Sequence, residues 1–234
     1  MKAFLLAAGV GSRLRPLTDT VPKAMLVIDD RPLLDIWLDA FNLAGVDEVL
    51  INLHHLPDVV RRHVARRSGP PEVRLVFEPE LLGSAGTLRS NRRWVTNEEL
   101  FLTCNADNLT NFDLRSLIDG HRSHGGIATL TVFQSEQPSA GGVVELDPTG
   151  RVIGFVEKPS KPVSDLTNAG LYAFHPRVID EIEGVPPRDI GYDLLPRLVG
   201  RARAIPINSY FRDIGTAEVA VDRSDEHTSE LQSL

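Results

Sequence analysis

An apolar run over residues 3–8 leads straight into Gly9-Val10-Gly11-Ser12-Arg13-Leu14-Arg15-Pro16, and Pro22-Lys23 follows. Glycines at this spacing let backbone N–H groups approach a phosphate closely. A triphosphate carries about four negative charges and calls for the charge-assisted contacts that Arg13, Arg15 and Lys23 can make. Two familiar phosphate loops do not fit: a dinucleotide fingerprint wants a small residue where Leu14 stands, and a P-loop wants Gly-Lys-Ser/Thr where the chain has Leu14-Arg15-Pro16. Taken alone, the stretch is equally compatible with a plain βα turn carrying solvated cations. Asp107 follows a second apolar run, 100–104, which puts it at the carboxyl end of a strand, where open α/β sheets bind ligands. A turn or helix-capping Asp is its bland reading. No Ser-His-Asp or Cys-His arrangement stands out, so the chemistry in view is positioning and charge neutralisation.

Such residues need a sheet to hold them. Strand-like runs fall at 3–8, 48–53, 73–77, 100–104, 127–133 and 169–174, several apolar throughout, as in strands covered on both faces. Helical patterns alternate with them. Pro32 in a first turn and Gly45 at the end bracket one, and 57–67, 84–92 and 113–124 look alike. Strand–helix alternation over about 130 residues predicts right-handed crossovers and a mostly parallel sheet. Val143–Leu146, the turn Asp147-Pro148-Thr149-Gly150 and Val152–Glu157 predict a β-hairpin appended to it as a lid.

Several ordered segments resemble the sugar-1-phosphate nucleotidylyltransferases, the nucleoside-diphosphate-sugar pyrophosphorylases. Phe4 to Leu14 with Pro22-Lys23 is similar to their signature, and Glu78-Pro79-Glu80-Leu81-Leu82-Gly83-Ser84-Ala85-Gly86-Thr87 to their base-binding loop. Asn105-Ala106-Asp107-Asn108 is similar to their metal-binding segment, and Glu157-Lys158-Pro159 and Asn168-Ala169-Gly170 to their sugar-phosphate motifs. Phe211-Arg212-Asp213-Ile214-Gly215-Thr216 completes the set. Ala8, Ser12, Ala106 and Phe211 are mild departures from the commoner residues. The resemblance, over residues 1 to about 217, implies a Rossmann-like three-layer α/β sandwich. It also implies reversible transfer of a nucleotidyl group from a nucleoside triphosphate to a sugar 1-phosphate, with Mg²⁺ as cofactor and pyrophosphate released.

The same resemblance implies roles. Arg13 and Lys23 would clamp the triphosphate, and Asp107 and Asp213 would hold Mg²⁺, an ion usually bound by one or two carboxylates plus substrate phosphates. Leu6, Ala8, Gly9, Gly11, Glu78 and Gly83 would bind the nucleotide. Gly142, Glu157, Lys158 and Asn168 would bind the sugar phosphate, with Lys158 on the phosphate itself. Glu78 stands where thymidylyl-transferring relatives carry an amide. An ionised carboxylate only accepts hydrogen bonds, which suits the two adjacent donors of guanine and not the uracil or thymine edge. GTP with mannose 1-phosphate or a manno-heptose 1-phosphate is the pair expected; the alternative for Glu78 is that it faces solvent while backbone groups read the base.

Composition bounds the remaining choices. The 234 residues predict one domain able to bury roughly 70% of its unfolded surface. A net charge of −7 argues against nucleic acid or an anionic membrane as partner, and a homo-oligomer is left open. The opening apolar run is too short and too soon followed by Arg13, Arg15 and Lys23 to read as a leader, so a cytoplasmic location is expected. His54-His55 and His63 lack the companions of a metal site, Cys104 reads as a buried core thiol, and Arg61-Arg62 with Arg66-Arg67 read as a solvated helix face. Residues 223–234 resemble the translation of an adapter oligonucleotide, which predicts a nucleotidyltransferase domain over 1–222 and a non-native tail. Rival readings are a uridylyl- or thymidylyltransferase, a molybdenum-cofactor nucleotidyltransferase, a glycosyltransferase, and a non-catalytic sugar-nucleotide sensor.

Overall fold

The computed structural model describes residues 1–214. Strand β1 (Lys2–Leu6) opens the chain, and short 3₁₀ turns carry the signature loop to a small ladder, β2 (Val27–Ile28) with β3 (Arg31–Pro32). Helix α1 (Leu33–Leu43), β4 (Glu48–Leu53), α2 (Pro57–Val64), β5 (Glu72–Phe77), α3 (Ser84–Ser90), α4 (Arg92–Val95) and β6 (Phe101–Asn105) complete the first half. Then come β7 (Asn108–Thr110), α5 (Leu114–His124), β8 (Ala128–Gln134), the hairpin β9 (Gly142–Leu146) and β10 (Val152–Glu157), β11 (Leu166–Phe174), β12 (Ala202–Pro206) and β13 (Phe211–Asp213).

The main sheet runs β10-β9-β11-β6-β1-β4-β5, with β8 also on β11 and β12 on β8. Strands β5, β4, β1 and β6 are mutually parallel and β12 is parallel to β8, while β10 and β11 oppose the rest. Seven of the nine strands therefore point one way. Period-2 alternation sorts the buried side chains into two cores: Ala3, Leu5, Val49 and Ile51 pack beneath α1, α2 and α5, and Phe4, Leu50, Phe101 and Phe174 pack beneath α3, α4 and residues of 178–198. The expected three layers are these two helical layers about one sheet.

Local chemistry sets the boundaries. Pro32 stands just ahead of α1 with ψ 137, one residue earlier than the first-turn position expected of it. Asp113 caps α5 by accepting the Arg115 N–H at 3.0 Å, and Gly125 closes it in the left-handed conformation. The single helix expected over 84–92 is two: Asn91 leaves helical geometry at φ −106 and donates its side-chain amide to the Thr87 carbonyl.

Strand β11 decides where a ligand could lie. Its second half, Leu171–Phe174, pairs with β6, while Leu166–Asn168 run on past the end of β6 to pair with β8 and, at Thr167, with β9. Gly170, at φ +75, sits at the change, where a Cβ would meet the Asn105 amide at 2.4 Å. The β9–β10 hairpin thus stands beyond the carboxyl ends of the parallel strands, as the lid expected from sequence. The tail expected at 223–234 lies outside the described residues, as do Gly215 and Thr216. No helix among the described residues is long and apolar enough to cross a membrane.

Candidate active site

The signature loop is shaped by its second glycine. Gly11 has φ +66 and its carbonyl accepts the Thr18 hydroxyl at 2.8 Å; a Cβ there would meet Thr18 Cγ2 at 2.8 Å. The following turn, Ser12–Leu14, buries Leu14 completely and leaves Arg13 in the cleft described below. Pro22 is extended, and the next turn begins at Lys23, whose side chain is only 11% exposed.

Lys23 brings together two carboxylates far apart in sequence. Its Nζ lies 2.5 Å from Asp107 Oδ2 and 3.9 Å from Asp213 Oδ1. Asp107 follows β6, held there by the Ala106 N–H to Leu6 carbonyl bond, and Asp213 is delivered by β13, which pairs with β7 so that Asp213 faces Asn108. The Ile214 N–H donates to the Asp107 carbonyl at 2.8 Å and ties the ends. Desolvation by the surrounding protein and then the neighbouring Asp107 push the Asp213 pKa up, against the pull of Lys23, Arg13 and Lys158. Two carboxylates converging beside cations fit Mg²⁺, whose remaining ligands are characteristically phosphate oxygens and water.

A cleft of about 420 Å³ under the hairpin gathers the other expected residues: Arg13, Gly142, Glu157, Lys158, Asn168 and Asp213. Gly142 leaves room for its neighbours, since a Cβ would lie 2.7 Å from Glu157 Oε2 and 2.5 Å from the Phe155 ring and would push one of them aside. Lys158 adopts φ +47, an uncommon conformation for a lysine, and its N–H donates to the Gly141 carbonyl. Asn168 donates Nδ2 to the Tyr172 hydroxyl at 2.7 Å. Burial, then Asp189, raise the Glu157 pKa, with Lys158 opposing. Among the described residues, the side chains of Arg13, Glu157 and Lys158 have no hydrogen-bond or ion-pair partner within those distances, so the cleft presents two cations and an acceptor in want of a ligand.

The residues expected to bind the nucleotide form a second wall rather than lining the same cavity. Leu6, Ala8, Gly9 and Gly11 lie at the end of β1, and Glu78 and Gly83 beyond β5. Arg13 and Ser84, one from each loop, join this wall to the cleft. Gly83 has φ +77 and touches residue 188 so closely that a Cβ would sit 2.2 Å from the Arg188 carbonyl oxygen; Ala85 and Gly86 donate to that oxygen and Arg188 donates to the Leu82 carbonyl.

Glu78 corrects one expectation. It is 2% exposed, neither facing solvent nor presenting a free carboxylate to a base. Its Oε1 accepts from Asn52 Nδ2 at 3.0 Å and from the Thr87 hydroxyl at 2.5 Å, and its Oε2 accepts the Leu82 N–H at 3.2 Å. A buried carboxylate without a cation needs several donors, and these three turn it inward. Glu78 shapes the loop and does not grip guanine bidentately. Its partner Asn52 was missed from sequence although the signal was there, a lone amide inside the apolar strand Glu48–Leu53. Asn52 Oδ1 also accepts the Ala7 N–H at 2.7 Å, linking the two loops.

Asp189 and Tyr192, which line the cleft, were also missed. Asp189 accepts the Ser84 hydroxyl and the Gly191 N–H, both at 2.8 Å, so its type signals a cap before it signals a site. His54, His55 and His63 bind the Glu78 carbonyl, the Thr18 carbonyl and Asp35, respectively. Cys104 is fully buried, which raises its thiol pKa far above the ordinary range.

Comparison with known proteins agrees with this geometry. The family model described as nucleotidyl transferase matches residues 2–230. Mannose-1-phosphate guanylyltransferase 1 of Arabidopsis thaliana is 34% identical over 222 residues, 92% of this chain and 61% of its own. The mannose-1-phosphate guanylyltransferase catalytic subunit beta of Danio rerio is 35% identical with the same coverage. The chain thus spans about three-fifths of the length of the curated relatives it matches. The crystal structure of HddC from Yersinia pseudotuberculosis complexed with GMP-PN superposes with a TM-score of 0.79 at 22% identity, covering 95% of this chain and 97% of that one, which shows the shared fold. With almost its whole length matched by that family model, the chain belongs to the nucleotidyl transferase family.

Proposed function

We propose that this chain transfers a nucleotidyl group from GTP to mannose 1-phosphate or a manno-heptose 1-phosphate, releasing pyrophosphate. The observation that carries the reading is the convergence of Arg13, Lys23 and Lys158 with Asp107 and Asp213 on the cleft that Glu157 and Asn168 line. The choice of guanine and of a manno-configured sugar rests on the guanylyltransferases at 34–35% identity. Cytoplasmic location and an acceptor–donor pair of small phosphorylated molecules belong to the same proposal.

The chemistry asked of the residues is in-line attack by an acceptor phosphate oxygen on the α-phosphorus, with pyrophosphate leaving opposite. Arg13 and Lys23 hold the triphosphate and offset charge on the leaving pyrophosphate. Lys158 sets the acceptor phosphate against the α-phosphorus and weakens repulsion between the two anions. Glu157 accepts from sugar hydroxyls, and Asn168, fixed by Tyr172, orients the ring. Asp107 and Asp213 would hold Mg²⁺, which supplies charge neutralisation to the phosphates when bound. Before substrate arrives, Lys23 is the counter-ion that keeps the two carboxylates together.

The test is a matrix of GTP, UTP, dTTP and ATP against mannose, glucose and manno-heptose 1-phosphates, with nucleotide-sugar formation followed by chromatography. GTP with a manno-configured acceptor should give the highest kcat/KM. Highest turnover with UTP or dTTP would move the chain to the uridylyl- or thymidylyl-transferring reading, and saturable binding without product would make it a sensor.

A further inference from the structure

A concavity of about 500 Å³ outside the catalytic cleft is lined by Arg74, Arg89, Arg92 and Arg93, with Asn91 and Trp94 beside them. Among the described residues, no carboxylate lines it. Arg89 donates to the Gly184 carbonyl, while Arg74, Arg92 and Arg93 have no hydrogen bond or ion pair among the described residues. Several arginines elsewhere pair with carboxylates, Arg61 with Asp58, Arg122 with Glu99, Arg188 with Asp193, Arg197 with Glu183 and Arg201 with Glu181, while Arg62, Arg66 and Arg177 have no ion pair among the described residues. What sets this hollow apart is that several arginines from different elements line it together. The chain has 32 acidic residues against 25 Lys and Arg, so acids were not scarce.

A guanidinium cannot relieve repulsion by losing its proton, and several of them facing one hollow gain from a shared anion. The competing account is a helix face of solvated side chains. Arg74 weighs against it, since it comes from β5 while Arg89 comes from α3 and Arg92 and Arg93 from α4. Three elements supply the same charge type to one hollow. From this we infer a second anion-binding site that takes a small phosphate-bearing molecule, a di- or polyphosphate, through Arg74, Arg92 and Arg93. A hollow of this size suits a small ligand, and the acidic remainder of the chain repels an extended polyanion such as a nucleic acid. Trp94, whose indole N–H donates to Glu48 at 3.1 Å, forms part of the wall and reports on occupancy.

The experiment is a tryptophan-fluorescence titration with inorganic pyrophosphate in EDTA, in an Arg13→Ala/Lys158→Ala background that weakens the catalytic cleft. This readout needs no turnover, so it stands apart from the proposed reaction. A saturable change is expected, lost on Trp94→Phe and weakened about tenfold or more by Arg74→Ser/Arg92→Ser/Arg93→Ser. The three arginines are exposed, so the triple variant should keep its melting temperature, and the single Arg92→Ser should weaken binding in the same direction. No saturable change, an unaltered affinity in the triple variant, or tighter binding of a single-stranded oligonucleotide to the same arginines would overturn the inference.

Discussion

Lys23 is the residue on which the site turns, because it is an almost buried cation whose partners, Asp107 and Asp213, come from the middle of the chain and from near its end. Replacing either carboxylate by the isosteric amide removes charge at the phosphate-binding mouth and leaves packing intact. Asp107→Asn and Asp213→Asn should each lower turnover by about 10²–10³-fold, the range of a lost electrostatic group aimed at developing charge. Melting temperature should change little, since neither side chain belongs to a core. Near-normal turnover at saturating Mg²⁺ in either variant would remove that residue from the site. The types and order of these residues were legible in the sequence, and so was their company. The direction in which Glu78 points was not, because a carboxylate that reads a base and one that braces a loop look alike until Asn52, Thr87 and the Leu82 N–H are seen around it.

Elements whose two faces are both covered declared themselves most clearly. Strand Glu48–Leu53 has the boundaries its apolar run predicts, and β9–β10 differs from the expected hairpin by one residue. Strand β12, Ala202–Pro206, escaped notice because Arg203 and Pro206 break its apolar alternation, and the β7–β13 ladder because three-residue strands carry no periodicity. Between elements, Asn52 ties the ends of β1, β4 and β5 into one wall, where the proposed function puts the nucleotide. Asn52→Leu should cost about 1–3 kcal/mol of stability, as buried partners lose their bonds. It should also raise KM for the triphosphate while leaving KM for the sugar phosphate unchanged. A stability loss with both KM values unaltered would make Asn52 structural only. On the other side of the sheet, α5 places His121 against β8, with its Nδ1 at 2.9 Å from the Thr129 hydroxyl. Burial, then His124 and His175, pull its pKa down to about 4 from 6.5. The unfolded chain therefore takes up the proton first as pH falls. His121 contributes nothing unfavourable above about pH 6.5, and stability declines between there and pH 4 by roughly 3 kcal/mol at the limit. Urea unfolding across that range should show a shallower decline in His121→Gln; parallel curves would remove His121 as the cause.

Across the whole molecule, an acidic chain brings three cations, Arg13, Lys23 and Lys158, to the carboxyl ends of the parallel strands. Among the described residues, Arg13 and Lys158 line the cleft with no hydrogen-bond or ion-pair partner, and Lys23 holds the two carboxylates at its mouth. That distribution suits the proposed meeting of two anionic substrates, one at the loops after β1 and β5 and the other under the β9–β10 hairpin. The most direct measurement is pyrophosphate release from GTP as mannose 1-phosphate is varied, in the wild type and in Lys158→Ala. The wild type should release none without acceptor and should saturate with it. Lys158→Ala should need about 10- to 100-fold more acceptor, the cost of one charged hydrogen bond, with KM for GTP little changed. Release of pyrophosphate that ignores the acceptor, or a Lys158→Ala enzyme with an unchanged acceptor KM, would contradict the account.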